Sequence, residues 1–328
     1  MSTVTTTTLS AEMKTFYDMR LIDEASPMLV HEQFGQKRPI PQGGGKTVNF
    51  RRFSPLAKAT TALTEGVTPS GSSLSVSSIS AIVAQYGDYV VQSDVLELTA
   101  VDNTILETTK LLGRQAGLTM DTIVRNALLL GTNKSYAPKY VADTNGNLVE
   151  TEVTKTADLD TSAKLTVDVV QRVVAKLRAQ NAPTIGGDYV CIIHPYVAYD
   201  LMRDPEWIDA HKYATPENLY TGEIGKMVGV RFVQSTEAKI DKGGSDNPSG
   251  LAVFHCLFIG DGAYGVTEVT GGGLQTIVKQ KGSSGTADPL DQRSSVGWKG
   301  LKAAKILVDN YLVDLMCCSK FSATATAN

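Results

Sequence analysis

The sequence predicts an α+β fold in which a long extended hairpin, a long helix and a separate α/β unit follow one another along the chain. Residues 54–92 hold two extended segments around a turn-forming run, and residues 102–130 carry apolar residues at helical spacing. From residue 164 onward, helical and strand patterns alternate. Thr166 suits the start of a helix with an apolar stripe from Val167 to Leu177, and Tyr189 to Ile193 is a predicted buried strand. With 328 residues, of which 42% are hydrophobic, the chain can form about two packed units.

Composition narrows the classes of function. A formal net charge of −3 gives no reason to expect a dedicated nucleic-acid groove or a membrane-binding surface. The four cysteines have neither zinc nor disulfide spacing, so we expect reduced thiols. The threonine-rich beginning of the sequence is not a secretory signal, and the longest apolar run, 251–260, is about half of what a bilayer requires. We therefore expect a protein that is made and used in the cytosol, with no membrane partner.

The predicted hairpin, residues 54–92, is long and poor in large apolar groups near its tip. Arms of about 12 residues would extend about 40 Å. A two-stranded ribbon of this kind is marginally stable alone in water, so we expect it to lie on a neighbouring subunit. The candidate interface residues are Glu65, Gly66, Pro69 and Gly71 at the tip, and Arg51, Arg52 and Lys58 at the base.

A strand is predicted just before the hairpin, from Lys46 to Phe53, because its residues alternate between two faces. One face carries Thr47, Asn49 and Arg51, and the other carries Val48, Phe50 and Arg52.

The predicted helix, residues 102–130, would be about 43 Å long, and Gly131 is placed to end it. Residues 132–163 are polar and include Asn145-Gly146, a common hairpin turn, which favours a surface insertion.

None of the motifs that suggest chemistry has the required spacing. Residues 43–47 are similar to the end of a phosphate-binding loop, but the first glycine is missing and a strand follows instead of a helix. Cys191 and His194 would point to opposite faces of a strand, as would His255 and Cys256, so neither pair predicts a metal site. The acidic residues around Trp207 are interpreted as a solvated surface. We predict no catalytic residue, metal or cofactor.

Short runs in order over most of the chain carry a resemblance to a known family. They are residues 9–17, 33–41, 63–69, 85–89, 93–97, 115–118, 225–230, 288–290 and 296–299. Together they resemble the major capsid proteins of N4-like tailed phages, and that resemblance implies the Hong Kong 97-type phage capsid fold.

The resemblance implies a division of the chain into the regions of that fold. These are an N-terminal arm (1–53), an extended β-hairpin loop (54–92), a peripheral domain (93–163) with a long spine helix (102–130) and a surface insertion (132–163), an axial α/β domain (164–265), and C-terminal strands that return to the peripheral domain (266–328).

The implied function is self-assembly. Hexamers and pentamers would form the icosahedral head shell around the double-stranded DNA of a tailed phage or prophage, assembled in the host cytoplasm, with many small contacts giving avidity. Scaffolding, portal and decoration proteins are further candidate partners, with a separate scaffold or none left open, and contact with the packaged DNA is expected to be weak and non-specific. Two alternatives stay open: an encapsulin-like cellular compartment shell, and a soluble α/β enzyme.

Overall fold

The structure is a computed structural model. It describes residues 19, 21–25, 29–39, 45–53, 56–68, 70–99, 104–212, 224–243, 247, 250–267, 274–283 and 288–328. Among the described residues, the helices with defined bounds are α1 (Asp94–Thr99), α2 (Thr104–Leu128), α3 (Val167–Ala179), α4 (Pro195–Met202) and α5 (Pro205–Lys212). The first strands are β1 (Gln36–Arg38), β2 (Thr47–Phe53), β3 (Val76–Ile82), β4 (Ala84–Ser93), β5 (Lys134–Tyr136), β6 (Lys139–Ala142), β7 (Leu148–Thr151) and β8 (Tyr189–Ile193). The later strands are β9 (Lys226–Met227), β10 (Val230–Gln234), β11 (Ile240–Lys242), β12 (Ala252–Ile259), β13 (Tyr264–Thr267), β14 (Leu274–Lys279), β15 (Arg293–Lys302), β16 (Ala304–Ile306) and β17 (Leu312–Cys317).

A seven-stranded mixed sheet forms the largest core. Its order is β5-β17-β12-β8-β10-β9, with β11 paired to β12. Every residue of β8 and β12 is buried, since helices cover both faces. The valine stripe of α3 packs on one face, and the end of α2 packs on the other through Val124 and Leu128.

Helix α2 joins this sheet to a second one, with the order β14-β15-β4. Near its middle, Leu112, Ala116 and Met120 pack against Trp298 of β15. The indole Nε1 of Trp298 donates a hydrogen bond to Gln115 Oε1 at 3.3 Å. One amphipathic helix of 25 residues therefore serves two sheets, which confirms the predicted long helix within two residues at each end.

The α/β unit begins as predicted. Thr166 caps α3, because its side chain accepts a hydrogen bond from the backbone N–H of Val169. The apolar stripe from Val167 to Leu177 is buried. Strand β8 has the predicted bounds, and the Asn145-Gly146 turn joins β6 to β7.

Two segments lie in the central sheet, where the sequence did not predict them. Strand β17 was predicted to return to the peripheral domain, but it pairs with β12 and β5. All six residues of β17 are buried, so both faces of this strand must be covered by other elements. Pairing of β5 with β17 also carries part of 132–163 into the core, where Ala137 and Ala163 have no exposed surface. The interpretation of 132–163 as surface therefore holds for the β6–β7 hairpin and not for the whole segment.

All four cysteines are buried in this core, and none forms a disulfide. Burial raises the pKa of Cys191 and raises that of Cys318 to about 12. Contact with Cys256 and burial both raise the pKa of Cys317. Since the thiolate is the reactive form, the folded protein presents unreactive thiols.

We expect a charged thiol reagent to modify none of these cysteines in the native protein and all four after denaturation. Leu63, which is 77% exposed, provides the control, because a Leu63→Cys variant should add one thiol that reacts at once. Rapid native labelling of any original cysteine would contradict the buried arrangement.

A buried histidine of β12 lies between two aspartates, one in β11 and one in β17. His255 Nδ1 is 2.9 Å from Asp314 Oδ2, and Nε2 is 2.9 Å from Asp241 Oδ2. Burial alone lowers the pKa of His255, but the hydrogen bonds to Asp241 and Asp314 raise it to about 9. The imidazole is therefore protonated at neutral pH and donates from both nitrogens.

This cluster predicts a pH dependence of stability. The pKa of His255 in the folded protein lies above its ordinary value of 6.5. Its contribution to the free energy of unfolding is therefore complete below pH 6.5 and is lost as the pH rises through about 9. The hydrogen bond from His255 lowers the pKa of Asp241, whose contribution is lost as pH falls below its ordinary 3.8. We expect the free energy of unfolding lost on His255→Gln to be greatest between about pH 4 and 6.5. By about pH 10 it should shrink by on the order of 3 kcal/mol.

Urea unfolding of both proteins at several pH values measures this difference. His194 provides a control with the opposite pH dependence. Burial lowers the pKa of His194, so its contribution to stability is lost as the pH falls. A loss of unfolding free energy on His255→Gln that is equal at all pH values would contradict the assignment of a raised pKa to His255.

Candidate assembly surfaces

The extended hairpin is built from β2 and β3. These strands pair in antiparallel register from Thr47↔Ile82 to Phe53↔Val76. Thr47 begins a strand, as predicted, so no helix follows the glycine run. The structure thus places the hairpin at residues 47–82, earlier than the predicted 54–92. Strand β4 is not part of the hairpin, because all ten of its residues pair with β15.

The base of the hairpin is fixed on the body of the protein. The inward side chains Val48, Phe50 and Ala81 are buried, and Phe50 has no exposed surface. Its ring lies directly over Gly265, where a Cβ atom would overlap it. Arg52 Nη1 donates to the carbonyl of Leu307 at 3.4 Å. The hairpin is therefore held at one end.

The tip of the hairpin, residues 56–75, has no regular strand and is exposed in the residues that the structure describes. Four large apolar side chains lie along it: Leu56, Leu63, Val67 and Leu74 are 59%, 77%, 62% and 64% exposed. This is more apolar surface than the sequence interpretation assigned to the tip. No other described part of the same chain covers these apolar side chains, and an exposed apolar surface of this kind is typical of an interaction site.

The candidate interface residues are distributed between base and tip. Arg51 is exposed on the outer face of β2, whereas Arg52 faces inward and is half-buried. Lys58, Glu65, Gly66 and Gly71 are exposed. Gly66, at φ +78°, forms a turn closed by the hydrogen bond from Val67 N–H to the Thr64 carbonyl. Pro69 lies outside the described residues.

A second exposed apolar surface, which the sequence analysis did not find, lies on β4 and α1. We call residues 84–99 the ledge. Tyr89, Val91, Val95 and Leu98 are 69%, 51%, 62% and 86% exposed. The spacing was present in the sequence, because Tyr89 and Val91 are two apart on one face of a strand, and Val95 and Leu98 are three apart on one face of a helix.

A buried histidine–aspartate contact and a buried ion pair anchor residues 31 and 32 beneath α2 and β15. His31 Nδ1 lies 2.6 Å from Asp121 Oδ2, and Lys302 Nζ lies 2.5 Å from Glu32 Oε2. All four side chains are buried. Sequence analysis missed both pairs, because each joins residues about 90 or more positions apart.

No described group of residues has the geometry of an enzyme site. A surface cleft of about 640 Å³ includes Asp200 and Asp204. These carboxylates accept hydrogen bonds from the backbone N–H groups of Lys320 and Val167, so they have structural roles. Among the described residues, no cluster of three metal-binding side chains occurs. Within the same residues, no helix is both long and apolar enough to cross a bilayer.

Comparison with known families decides among the interpretations of these surfaces. The family model for the phage capsid protein matches residues 54–312, from the hairpin to the start of β17. The chain belongs to the phage capsid protein family. A search of curated proteins found no match.

Solved capsids show the same fold. The capsid of Ralstonia phage GP4 is 17% identical, with a TM-score of 0.65 over 88% of this chain and 87% of that chain. The capsid of cyanophage P-SCSP1u is 14% identical, with a TM-score of 0.61 over 89% of each chain. The asymmetric unit of the cyanophage Pam1 capsid is 13% identical, with a TM-score of 0.63 over 99% of this chain and 97% of that chain.

The predicted α+β fold of the Hong Kong 97 type is therefore confirmed. The capsid protein is a structural component of the virion, and its copies associate into the phage head shell. It is a major capsid protein and not an enzyme. In this context, the exposed apolar side chains of the hairpin and the ledge are candidate contacts between copies.

Proposed function

We propose that the hairpin of each capsid protein lies across a neighbouring copy, and that this contact joins the copies into hexamers and pentamers of an icosahedral head. The observation that carries the proposal is the exposed apolar tip, residues 56–75, attached to a rigid base. A surface of this kind in a single chain requires a partner, and a second copy is present at high concentration in any shell.

The energetics are consistent with assembly through many weak contacts. Burying one leucine or valine side chain stabilises by about 1.5–3 kcal/mol, and ordering the tip offsets part of that gain. One hairpin contact is therefore modest. In a closed shell each copy both provides and receives such contacts, so avidity makes the assembly stable.

The remaining partners are part of the same proposal. The head encloses double-stranded DNA, with which the capsid protein makes weak contacts that do not depend on sequence. Portal and decoration proteins are further candidate partners of the shell, a separate scaffold or none is left open, and assembly takes place in the host cytoplasm. The N4-like subgroup is a hypothesis that rests on the short sequence runs described above.

Electron microscopy of the purified protein over a range of concentrations tests the proposal. We expect closed shells above a threshold concentration. Discrete small oligomers at every concentration would contradict it. In particles from phage-producing cells, nuclease-resistant DNA is the expected content, whereas an enclosed enzyme without DNA would favour the compartment alternative.

A further inference from the structure

The surface cleft that includes Asp200 and Asp204 also contains positive side chains that the fold does not use. Its volume is about 640 Å³, and it lies between the residues before α3, the link from α4 to α5, and the residues after β17. Lys164, Arg203 and Lys320 line it. In the part of the chain that the structure describes, none of these three forms an ion pair with a carboxylate. The cleft therefore offers three cations to an anion from outside.

The described carboxylates of the cleft are occupied by the backbone. Asp200 Oδ2 accepts a hydrogen bond from the N–H of Lys320 at 2.8 Å. Asp204 accepts from the N–H groups of Val167, at 2.9 Å, and Glu206, at 3.1 Å. These contacts satisfy backbone donors at the starts of α3 and α5, where a helix has no internal acceptor for them. The two carboxylates are therefore held away from the three cations.

An exposed aromatic ring lies next to the cations. Phe321 stacks on Tyr196 with ring centres 4.5 Å apart, and Tyr199 meets it edge-on at 5.3 Å. Phe321 is nevertheless 55% exposed, so part of its ring surface is open to a ligand. Arg203 Nη1 donates to the hydroxyl of Tyr199 at 2.7 Å, which holds the guanidinium on the same wall of the cleft. The cleft thus combines an open aromatic face with positive charge.

We propose that this cleft binds a nucleoside phosphate, with the base stacked on Phe321 and the phosphate among the three cations. Its volume is that of an ordinary small-molecule site, about 300–1,000 Å³. Stacking on an aromatic ring and charge-assisted contacts to phosphate are separate contributions, and a nucleotide uses both. An acidic peptide would meet the cations and leave the ring unused. Duplex DNA keeps its bases inside the helix, so it presents phosphates alone.

Equilibrium dialysis of the purified full-length protein tests the site with three probes. They are dATP, deoxyadenosine, which lacks phosphate, and inorganic tripolyphosphate, which lacks a base. We expect deoxyadenosine and tripolyphosphate each to bind about tenfold or more weakly than dATP, because each retains one of the two contacts. This binding is independent of assembly, so the proposed function stands whatever the result.

Two variants separate the ring from the charge. Phe321→Leu keeps an apolar side chain beside Tyr196 and removes the aromatic face, so dATP should bind about tenfold more weakly while tripolyphosphate is unaffected. Lys320→Gln should weaken both dATP and tripolyphosphate and leave deoxyadenosine unchanged. Lys155→Gln, at an exposed position outside the cleft, is the matched control and should bind dATP within about twofold of wild type. Thermal unfolding would verify the fold of each variant.

Competition against bound dATP identifies the source of the nucleotide. Single-stranded oligothymidylate of about ten nucleotides is compared, per nucleotide, with free dTMP. Stronger displacement by the oligonucleotide assigns single-stranded nucleic acid as the source, and stronger displacement by dTMP assigns free nucleotides. Both results support the site.

Three results would overturn the proposal. In the first, wild type and Phe321→Leu bind dATP equally, so the ring plays no part. In the second, tripolyphosphate binds as tightly as dATP, which makes the cleft a simple anion site. In the third, a polyglutamate peptide binds and dATP does not, which assigns the cleft to an acidic protein partner.

Discussion

Deleting residues 60–75 is expected to leave a folded subunit that forms no shells. The strand pairing of β2 with β3 ends at Phe53↔Val76, so the shortened loop still connects a complete base. Residues 54–59 then span the two strands, which is about one residue more than the usual two to five of hairpin loops and is long enough to connect them. The buried base side chains Val48 and Phe50 are retained.

Circular dichroism and thermal unfolding would verify the fold of this deletion variant, and sedimentation with electron microscopy would measure assembly. A second variant, in which a Gly/Ser linker of equal length replaces residues 60–75, separates the effect of side chains from that of length. It should also fail to assemble, because the exposed leucines and valines are absent. Normal particles from either variant would refute the role of the hairpin.

Removing Lys302 is expected to cost about 3–5 kcal/mol of folding free energy, among the largest effects of any single substitution in the protein. Its ammonium group has no exposed surface and contacts Glu32 at 2.5 Å and the carbonyl of Thr267 at 3.1 Å. Burial lowers the pKa of Lys302, and Glu32 acts in the opposite direction. Lys302→Ala would leave the Glu32 carboxylate buried without its counterion.

Urea unfolding of Lys302→Ala measures this loss. The double variant Glu32→Gln/Lys302→Met removes both charges and preserves volume, so it should recover much of the stability. The exposed pair between Lys226 and Asp188 is the control: although its atoms are 2.8 Å apart, Lys226→Ala should cost less than about 1 kcal/mol. Equal costs for the buried and exposed pairs would contradict the importance of burial.

The buried pairs have a structural consequence for assembly. Glu32 and His31 connect the residues that precede β1 to β15 and α2, the elements that support the ledge. Tyr264 donates its hydroxyl hydrogen to the carbonyl of His31 at 2.5 Å, close to Gly265 beneath the hairpin base. The base of the hairpin and the elements that support the ledge are therefore connected by one network of buried polar contacts.

Several elements could be predicted because their signals are local. The apolar stripe of α2, the cap of α3 by Thr166, the all-apolar run of β8 and the Asn145-Gly146 turn each depend on residues within a few positions of one another. The alternation of Val48 and Phe50 with Asn49 and Arg51 correctly assigned the two faces of β2. The division into domains, and the roles of Arg51, Lys58 and Glu65, stay predictions.

The sequence by itself determined the order of the elements, the faces they bury and, through family resemblance, the capsid fold. Only the tertiary structure decided that β17 enters the central sheet, that β2 forms one arm of the hairpin, and that the ledge stays uncovered. The physical reason is that strand partners and buried ion pairs such as Glu32–Lys302 join distant residues, and the choice among distant partners depends on packing in three dimensions, which local periodicity does not encode.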